Sequence, residues 1–459
     1  LTGTYYLWIK AGTLSDVSGN TSNQVISSAF KFDNTNPSLS VSTSKTTKSI
    51  TAVATASATS GISKYEFSKD NGATWVNNGT SNAYAFTGLS SGTTYNIKVR
   101  VTSGVNRQTT SGTYTVTTTS LNVTLSASSS GYTNSTYGWS QYKTVTASFS
   151  TSCGSGGVTC TAGKSGATSA VSGTSTSTQF NQNGTYVATI TDGGTPVSKS
   201  YTVAKVGGTA TQLLNKGVVS SGTGLYADSY ESGRFVFRGQ TPNNYVQFQC
   251  AAESYRIVAI ETDGTIKLVR NSSYTNISWG SSGALWPSSS AYSYLNSTYK
   301  SYIDSLSCGM AATYFGSDHP WYYGDNTYDE SNNQSLATTI ASEKTKSVVA
   351  LFGLLGISDY LRASSNTTCT SMAASRTGKC TNNYLTRSGD AWFATMSQNS
   401  VNKQNVSLWG NDWGSYQGAS SAGAKTEASG LRPAGYYRAY SYILSGSGTI
   451  SDPYILKGY

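Results

Sequence analysis

Hydrolytic chemistry needs a nucleophile beside a base, or two carboxylates flanking the substrate. In this 459-residue chain such groups gather in one stretch, SDHPWYYGDNTYDES, which holds Asp318, His319, Asp325, Asp329 and Glu330. Oxygen ligands at this density also suit a structural calcium ion, with Asp318, Asp325 and Asp329 as the candidate ligands. Neither an EF-hand spacing nor a metallohydrolase motif accompanies them. A solvated acidic loop is the simplest reading, structural calcium is the one cofactor suggested, and no catalytic residues are expected.

The same stretch supplies Trp321 and Tyr322, and LWGNDWGSYQG supplies Trp409 and Trp413. Such rings offer large contact area with a polar handle, which suits a sugar or protein platform. A platform requires all four rings to be at least partly exposed on one face; the alternative is that they are core. Six cysteines fall into local pairs: Cys153 with Cys160, Cys250 with Cys308, and Cys369 with Cys380. None shows zinc-ligand spacing with histidines. Three disulfides are expected, which fits an oxidising compartment outside the cell. Six free thiols are the alternative.

The elements that must position these groups are mostly strands. Charged residues are 11% of the chain, against 33 Tyr, 12 Phe and 9 Trp. That aromatic content can build cores, so the chain is not of the disordered class. Thr, Tyr and Val favour strands and Gly favours turns. Residues 1–206 carry thirteen Lys/Arg against five Asp/Glu, a net +8, and residues 207–459 carry only +2. The basic half suits anionic surfaces, or is simply a few solvated lysines on polar strands. No basic run interleaves with aromatics, so nucleic acid is not an expected partner. No apolar run reaches the roughly 20 residues of a membrane helix, and the longest, SVVALFGLLGIS, is short and holds two glycines.

The strongest signal is repetition. TGTYYLWIK, SGTTYNIKV and NGTYVATIT place Tyr5, Tyr95 and Tyr186 at spacings of 90 and 91 residues. A period near ~100 residues with short strands is that of immunoglobulin-type sandwiches. Alternation after Tyr95 would turn Ile97, Val99 and Val101 inward. KYEFSKDNGATW and GLSSGTTYNIKVRV make residues 39–119 resemble a fibronectin type III module. In that family the Tyr95 phenol would bond an upstream backbone group at the tyrosine corner. Residues 120–206 read as a further Ig-like module, with strands near Val123–Leu125, Val145–Phe149, Tyr186–Ile190 and Tyr201–Val203. Residues 1–38 read as the final strands of another module, whose remainder is expected upstream of Leu1.

From about Gly207 the texture changes, and six of the nine tryptophans lie beyond it. RFVFRGQTPNNYVQFQ predicts two strands across a Gly/Pro/Asn turn. YRIVAIETDGTIKLVR predicts a pair across Asp263-Gly264. SSSAYSYLNSTYKSYIDSL spaces Tyr292, Leu295, Tyr299, Ile303 and Leu306 for a helix capped by serines after Pro287. A short helix is expected to open at Ser358 in ISDYLRAS, and SGSGTISDPYIL to end in a closing strand. Residues 207–459 are thus an α+β domain.

PNNYVQFQCAAESYRIVAIETDGTIKLVR, SDYLRAS, the Cys369 and Cys380 pair, GLRPAG and GTISDPYIL together resemble a domain of Gram-positive and gut bacterial surface or prepilin-like proteins. The resemblance spans nearly all of 225–457. Tyr255 stands where that family usually has Trp, and Ala434-Gly435 replaces an apolar strand start. The order of helix, short helix, Trp-rich loop and terminal strand also resembles a C-type-lectin-like fold, and the layout is similar to invasin and intimin adhesins. The resemblance implies an extracellular bacterial cell-surface adhesin: a β-sandwich stalk presenting a head that binds a host or neighbouring-cell glycan or protein. The alternatives are a structural or decorating subunit of a pilus-like filament, which would bind copies of itself, and a stalked glycan-active enzyme.

Overall fold

The computed structural model describes residues 3–249, 251–280, 285–306, 314–316, 319–324, 334–386, 393–398, 406–412, 416–420 and 429–457. The fold is mainly β, with α-helices in the C-terminal part. The chain divides into two compact units. One comprises Leu1–Ser126, Thr146–Ser177 and Val187–Ser200, and the other Ala127–Val145, Thr178–Tyr186 and Tyr201–Tyr459.

In the first unit, Ser38–Lys45, Ile50–Ser57 and Ala83–Phe86 form one antiparallel sheet. Thr94–Ser103 is the centre of a second, pairing with Ile62–Ser68, Gln108–Thr110 and Tyr114–Thr117. Alternating residues of both sheets make the core: Ile50, Ala52, Ala54 and Phe86 face Phe67, Ile97, Val99 and Val101. The alternation predicted after Tyr95 is therefore real, and this is a β-sandwich. The Tyr95 phenol oxygen accepts the Ser90 N–H at 3.1 Å, so the upstream backbone bond expected of a tyrosine corner is present. At the Asp70-Asn71-Gly72 turn, Asn71 and Gly72 have φ of 60° and 91°, a left-handed geometry that only Gly and a few polar residues tolerate.

The N-terminal segment makes two small strand pairs, Gly3–Tyr5 with Phe30–Phe32 and Trp8–Ile9 with Val25–Ile26. Trp8, Val25, Ile26, Phe30 and Phe32 are all exposed. Within residues 120–206, Val123–Asn134, Trp139–Cys153 and Gly173–Phe180 form a three-stranded sheet. Ala167–Val171, Thr159–Lys164, Gly184–Thr191 and Val197–Val203 form a four-stranded one. All four strands expected there fall inside observed strands. The division between units runs through this stretch. Cys153 and Cys160 are disulfide-bonded.

In the second unit a nine-stranded sheet organises the C-terminal part. Its main path runs Phe352–Gly353, Ala434–Tyr437, Ile266–Arg270, Ala251–Ile260, Tyr245–Phe248, Tyr454–Lys457 and Tyr442–Ser445. The hairpin across Asp263-Gly264 forms as expected. The two strands of RFVFRGQTPNNYVQFQ form too, but not as partners of each other. Phe235–Arg238 and Tyr245–Phe248 both pair with Ala251–Ile260, one near each end. Tyr245–Phe248 also pairs in parallel with Tyr454–Lys457.

The predicted helix spans Ser290–Tyr294, a π-helical Leu295–Tyr299 and Lys300–Ser305. Ser289 caps it, its hydroxyl accepting the Tyr292 N–H at 3.0 Å, which satisfies an end N–H that the helix itself cannot. Leu295, Tyr299 and Ile303 are fully buried, and Tyr292 and Leu306 pack beside them. The second helix is Ile357–Arg362. Packing at Ala434-Gly435 is tight: a Cβ at Gly435 would fall 2.5 Å from Cδ1 of Phe315. The strand still starts at Ala434, but it does so with a residue that leaves room for the phenyl ring. Cys369 and Cys380 are disulfide-bonded; Cys250 and Cys308 lie outside the described residues.

Candidate ligand-binding cavity

The predicted aromatic platform does not hold at Trp321. The strand Pro320–Tyr322 pairs with Ser347–Val349, and alternation turns Trp321 and Tyr322 to opposite sides. Trp321 is fully buried, with its indole N–H donating to the Ala350 carbonyl at 2.9 Å. It is a core residue because its one polar atom is satisfied inside and its ring packs on Tyr436, 4.7 Å between centroids. Tyr322 is 39% exposed. Trp409 lies in the strand Val406–Asp412, and its side chain is outside the described set, as are all of Trp413, Asp318, Asp325, Asp329 and Glu330. His319 stacks on Tyr436 at 4.4 Å, with Nε2 3.3 Å from Asp263 Oδ2.

Beside Tyr322 lies a cavity of about 90 Å³ lined largely by charged groups. Its floor is Arg234, which stands before the strand Phe235–Arg238 and is almost wholly buried. The guanidinium donates to Asp228 Oδ2 and Glu261 Oε2, both at 2.9 Å, and to Asp359 Oδ1 at 3.4 Å. Lys267, directly across the sheet from Tyr436, donates to Asp359 Oδ2 at 2.6 Å. Its ammonium sits 5.6 Å from the Trp321 ring and 5.8 Å from that of Tyr436, within cation–π range. Asp359 is held by the short helix Ile357–Arg362, where Oδ2 also accepts the Gly356 N–H.

Burial raises the energy of the Asp359 carboxylate, but Lys267, Arg234 and Arg362 outweigh it and hold the carboxyl below its ordinary range. A buried charge without such partners would be costly.

Glu343, at the end of the helix Leu336–Glu343, behaves in the opposite way. Burial, reinforced by the charge of Asp359, pushes its carboxyl up despite bonds from Ser358 and Ser397. Ser397 Oγ donates to Glu343 Oε1 at 2.7 Å, and the Ser358 N–H to the same oxygen at 3.1 Å. Gly356 permits this approach, since a Cβ there would meet Glu343 Oε1 at 2.7 Å.

Arg362 also lines the cavity and is 95% buried by its 5% exposure. Its Nε and Nη2 lie 3.5 Å from Asp228 Oδ2 and Glu231 Oε1, and neither makes a hydrogen bond. Lys344 and Tyr322 form the open rim; the Lys344 ammonium pairs with Glu231 and lies 5.9 Å from the Tyr322 ring.

No family model matches the chain, and no curated protein matches it. Among solved structures, the chain is similar to the fibronectin(III)-like modules of Clostridium thermocellum CbhA: 17% identity over 36% of this chain and 93% of that one, TM-score 0.18. The three N-terminal domains of the bacteriophage RB49 highly immunogenic outer capsid protein match at 13% identity, over 51% and 93%, TM-score 0.25. Chitinase ChiA74 from Bacillus thuringiensis matches at 15% identity over 31% of this chain, TM-score 0.16. The chain spans only 26% of that chitinase's length.

Sequence reasoning missed the cavity because its residues come from seven separated segments and form no motif. One signal was present. In a chain with so little charge, Arg234, Lys267, Asp359 and Arg362 interrupt apolar runs in RFVFR, TIKLVR and SDYLR. Charges inside such runs are rarely buried unless paired.

Proposed function

We propose that this protein is an extracellular bacterial surface adhesin, in which the β-sandwich modules act as spacers and the C-terminal α+β domain binds a glycan or protein. It works by binding, without turnover. The observation that carries this reading is the cavity beside Tyr322: a fixed set of buried charges, with an aromatic ring and a lysine at its mouth. Polar groups that converge on one cavity and are held in place there fix the orientation of a ligand. Two disulfides that close short loops support a location outside the reducing cytosol. The test is to apply the 459-residue chain to glycan and protein arrays and to cells. Saturable binding without product release is expected. Release of sugar from a bound glycan would favour the enzyme reading.

The alternative reading is a filament subunit. Electron microscopy of the purified chain over a range of concentrations separates the two readings, since filaments would favour the second.

A further inference from the structure

We infer that the cavity beside Tyr322 takes the hydroxyl-bearing edge of a neutral sugar residue. This rests on the adhesin reading and names its ligand class and site.

Size sets the first limit. At about 90 Å³ the cavity is small and has room for only a few water-sized groups. That is one edge of a pyranose ring, with the rest of the sugar outside.

Charge sets the second. The lining carries four carboxylates, Glu231, Glu261, Glu343 and Asp359, against four cations, Arg234, Lys267, Lys344 and Arg362. An anionic ligand would enter beside those carboxylates, and a cationic one beside those cations. A hydroxyl can accept from a guanidinium and donate to a carboxylate at the same time, so it gains from both signs and adds no charge.

The third limit is what remains unused. Arg234 and Glu343 are engaged with protein partners. Arg362 is less fully engaged: it is nine-tenths buried, lines the cavity and is ion-paired at 3.5 Å with Asp228 and Glu231, but its Nε and Nη2 make no hydrogen bond. Buried donors without hydrogen bonds are costly, so a ligand oxygen that reaches the Arg362 guanidinium gains more than one placed against a group already satisfied. Tyr322 at the rim offers a ring against which the C–H face of a sugar can rest, as aromatic anchors do in other sites.

The test uses the full chain on an array of immobilised glycans ending in neutral hexoses, in N-acetylneuraminate or in uronate, with a lysine-rich peptide as cationic control. Binding to the neutral hexose termini is expected, competed by free methyl hexosides. Tyr322→Ala should weaken it at least tenfold, and Arg362→Gln should weaken it further. Should Arg362→Gln fail to fold, Tyr322→Ala and Lys344→Ala at the open rim carry the test. Glycan binding that survives unchanged in the rim variants would overturn the site and leave the adhesin reading standing. Binding confined to acidic glycans or to the cationic peptide would overturn the ligand class. If the unmodified chain binds no glycan, no protein and no cell, the adhesin reading falls, and this inference with it.

Discussion

A Cβ placed on Gly353 would fall 2.3 Å from Cδ2 of Trp321, so the indole fills the space that any side chain at 353 would need. Trp321 thereby becomes part of the wall behind Lys267 and Tyr436. Overpacking of this kind costs about 1–3 kcal/mol. Gly353→Ala should lower the denaturation midpoint of the C-terminal domain accordingly. Tyr322→Ala, one residue along but exposed, should barely move it. Tryptophan fluorescence during denaturant titration would show both, and equal effects would contradict the placement of the two rings.

The single hydrogen bond from the Ser90 amide to the Tyr95 phenol is a second point of test. Tyr95→Phe removes it and keeps the ring. The expected loss is about 1 kcal/mol, the net worth of one such bond. Circular dichroism melts of residues 39–119 would measure it, provided that fragment folds as a β protein. A helical or disordered fragment would reject those boundaries.

The two buried carboxyls of the cavity should respond to substitution in opposite ways. Asp359→Asn strips Lys267 and Arg234 of a shared partner, and breaking a buried pair typically costs about 3–5 kcal/mol. Glu343 has a raised carboxyl pKa, so the folded state takes up more protons than the unfolded one. Its contribution is fully present below the ordinary glutamate value of 4.5 and is lost as pH rises through the higher folded value. Glu343→Gln removes that loss. The stability of the variant relative to the parent should therefore increase as pH climbs above 4.5. For Asp359 the sign reverses: its stabilisation is present above 3.8 and disappears as pH falls through the lowered folded value. Urea titrations at a series of pH values would read both slopes. A flat difference between Glu343→Gln and parent would contradict the assignment.

The disulfides give a chemical test. Cys153–Cys160 spans seven residues and Cys369–Cys380 eleven. By loop entropy each contributes about 2–3 kcal/mol. Peptide mapping without reductant should recover both cross-links, and reduction should lower the melting transitions. Free thiols at these four positions would remove the main support for an oxidising location.

Where the sequence was legible, a local rule was at work. The alternation of Ile97, Val99 and Val101, the serine cap before Tyr292 and the Asp263-Gly264 hairpin depend on residues close in the chain, and each formed as read. Where it misled, the missing information was long-range. Nothing in RFVFRGQTPNNYVQFQ says that its two strands meet a third strand instead of each other. Trp321 and Tyr322 are neighbours of similar chemistry. Only the strand's orientation against Gly353 and Ala350 decides which ring is core. The cavity was invisible for the same reason: Arg234, Lys267, Glu343 and Asp359 become a group only when the sheet and two helices have assembled.

The parallel pairing of Val246 with Tyr454 has a consequence for the order of synthesis. Tyr454–Lys457 lies inside the nine-stranded sheet, between Tyr245–Phe248 and Tyr442–Ser445. The helix Gly208–Lys216, at the other end of the domain's sequence, is tied to this region through Gln212, which exchanges two hydrogen bonds with Ile443. Contacts this distant in sequence form only after a large loop has closed. The ribosome must therefore release the stretch through Lys457 before the domain can complete its sheet. Strands such as Ser38–Lys45 and Ile50–Ser57, which pair across a short turn, can close as soon as they emerge. During synthesis the sandwich near residue 100 would be folded while the C-terminal domain still waits for its last strand.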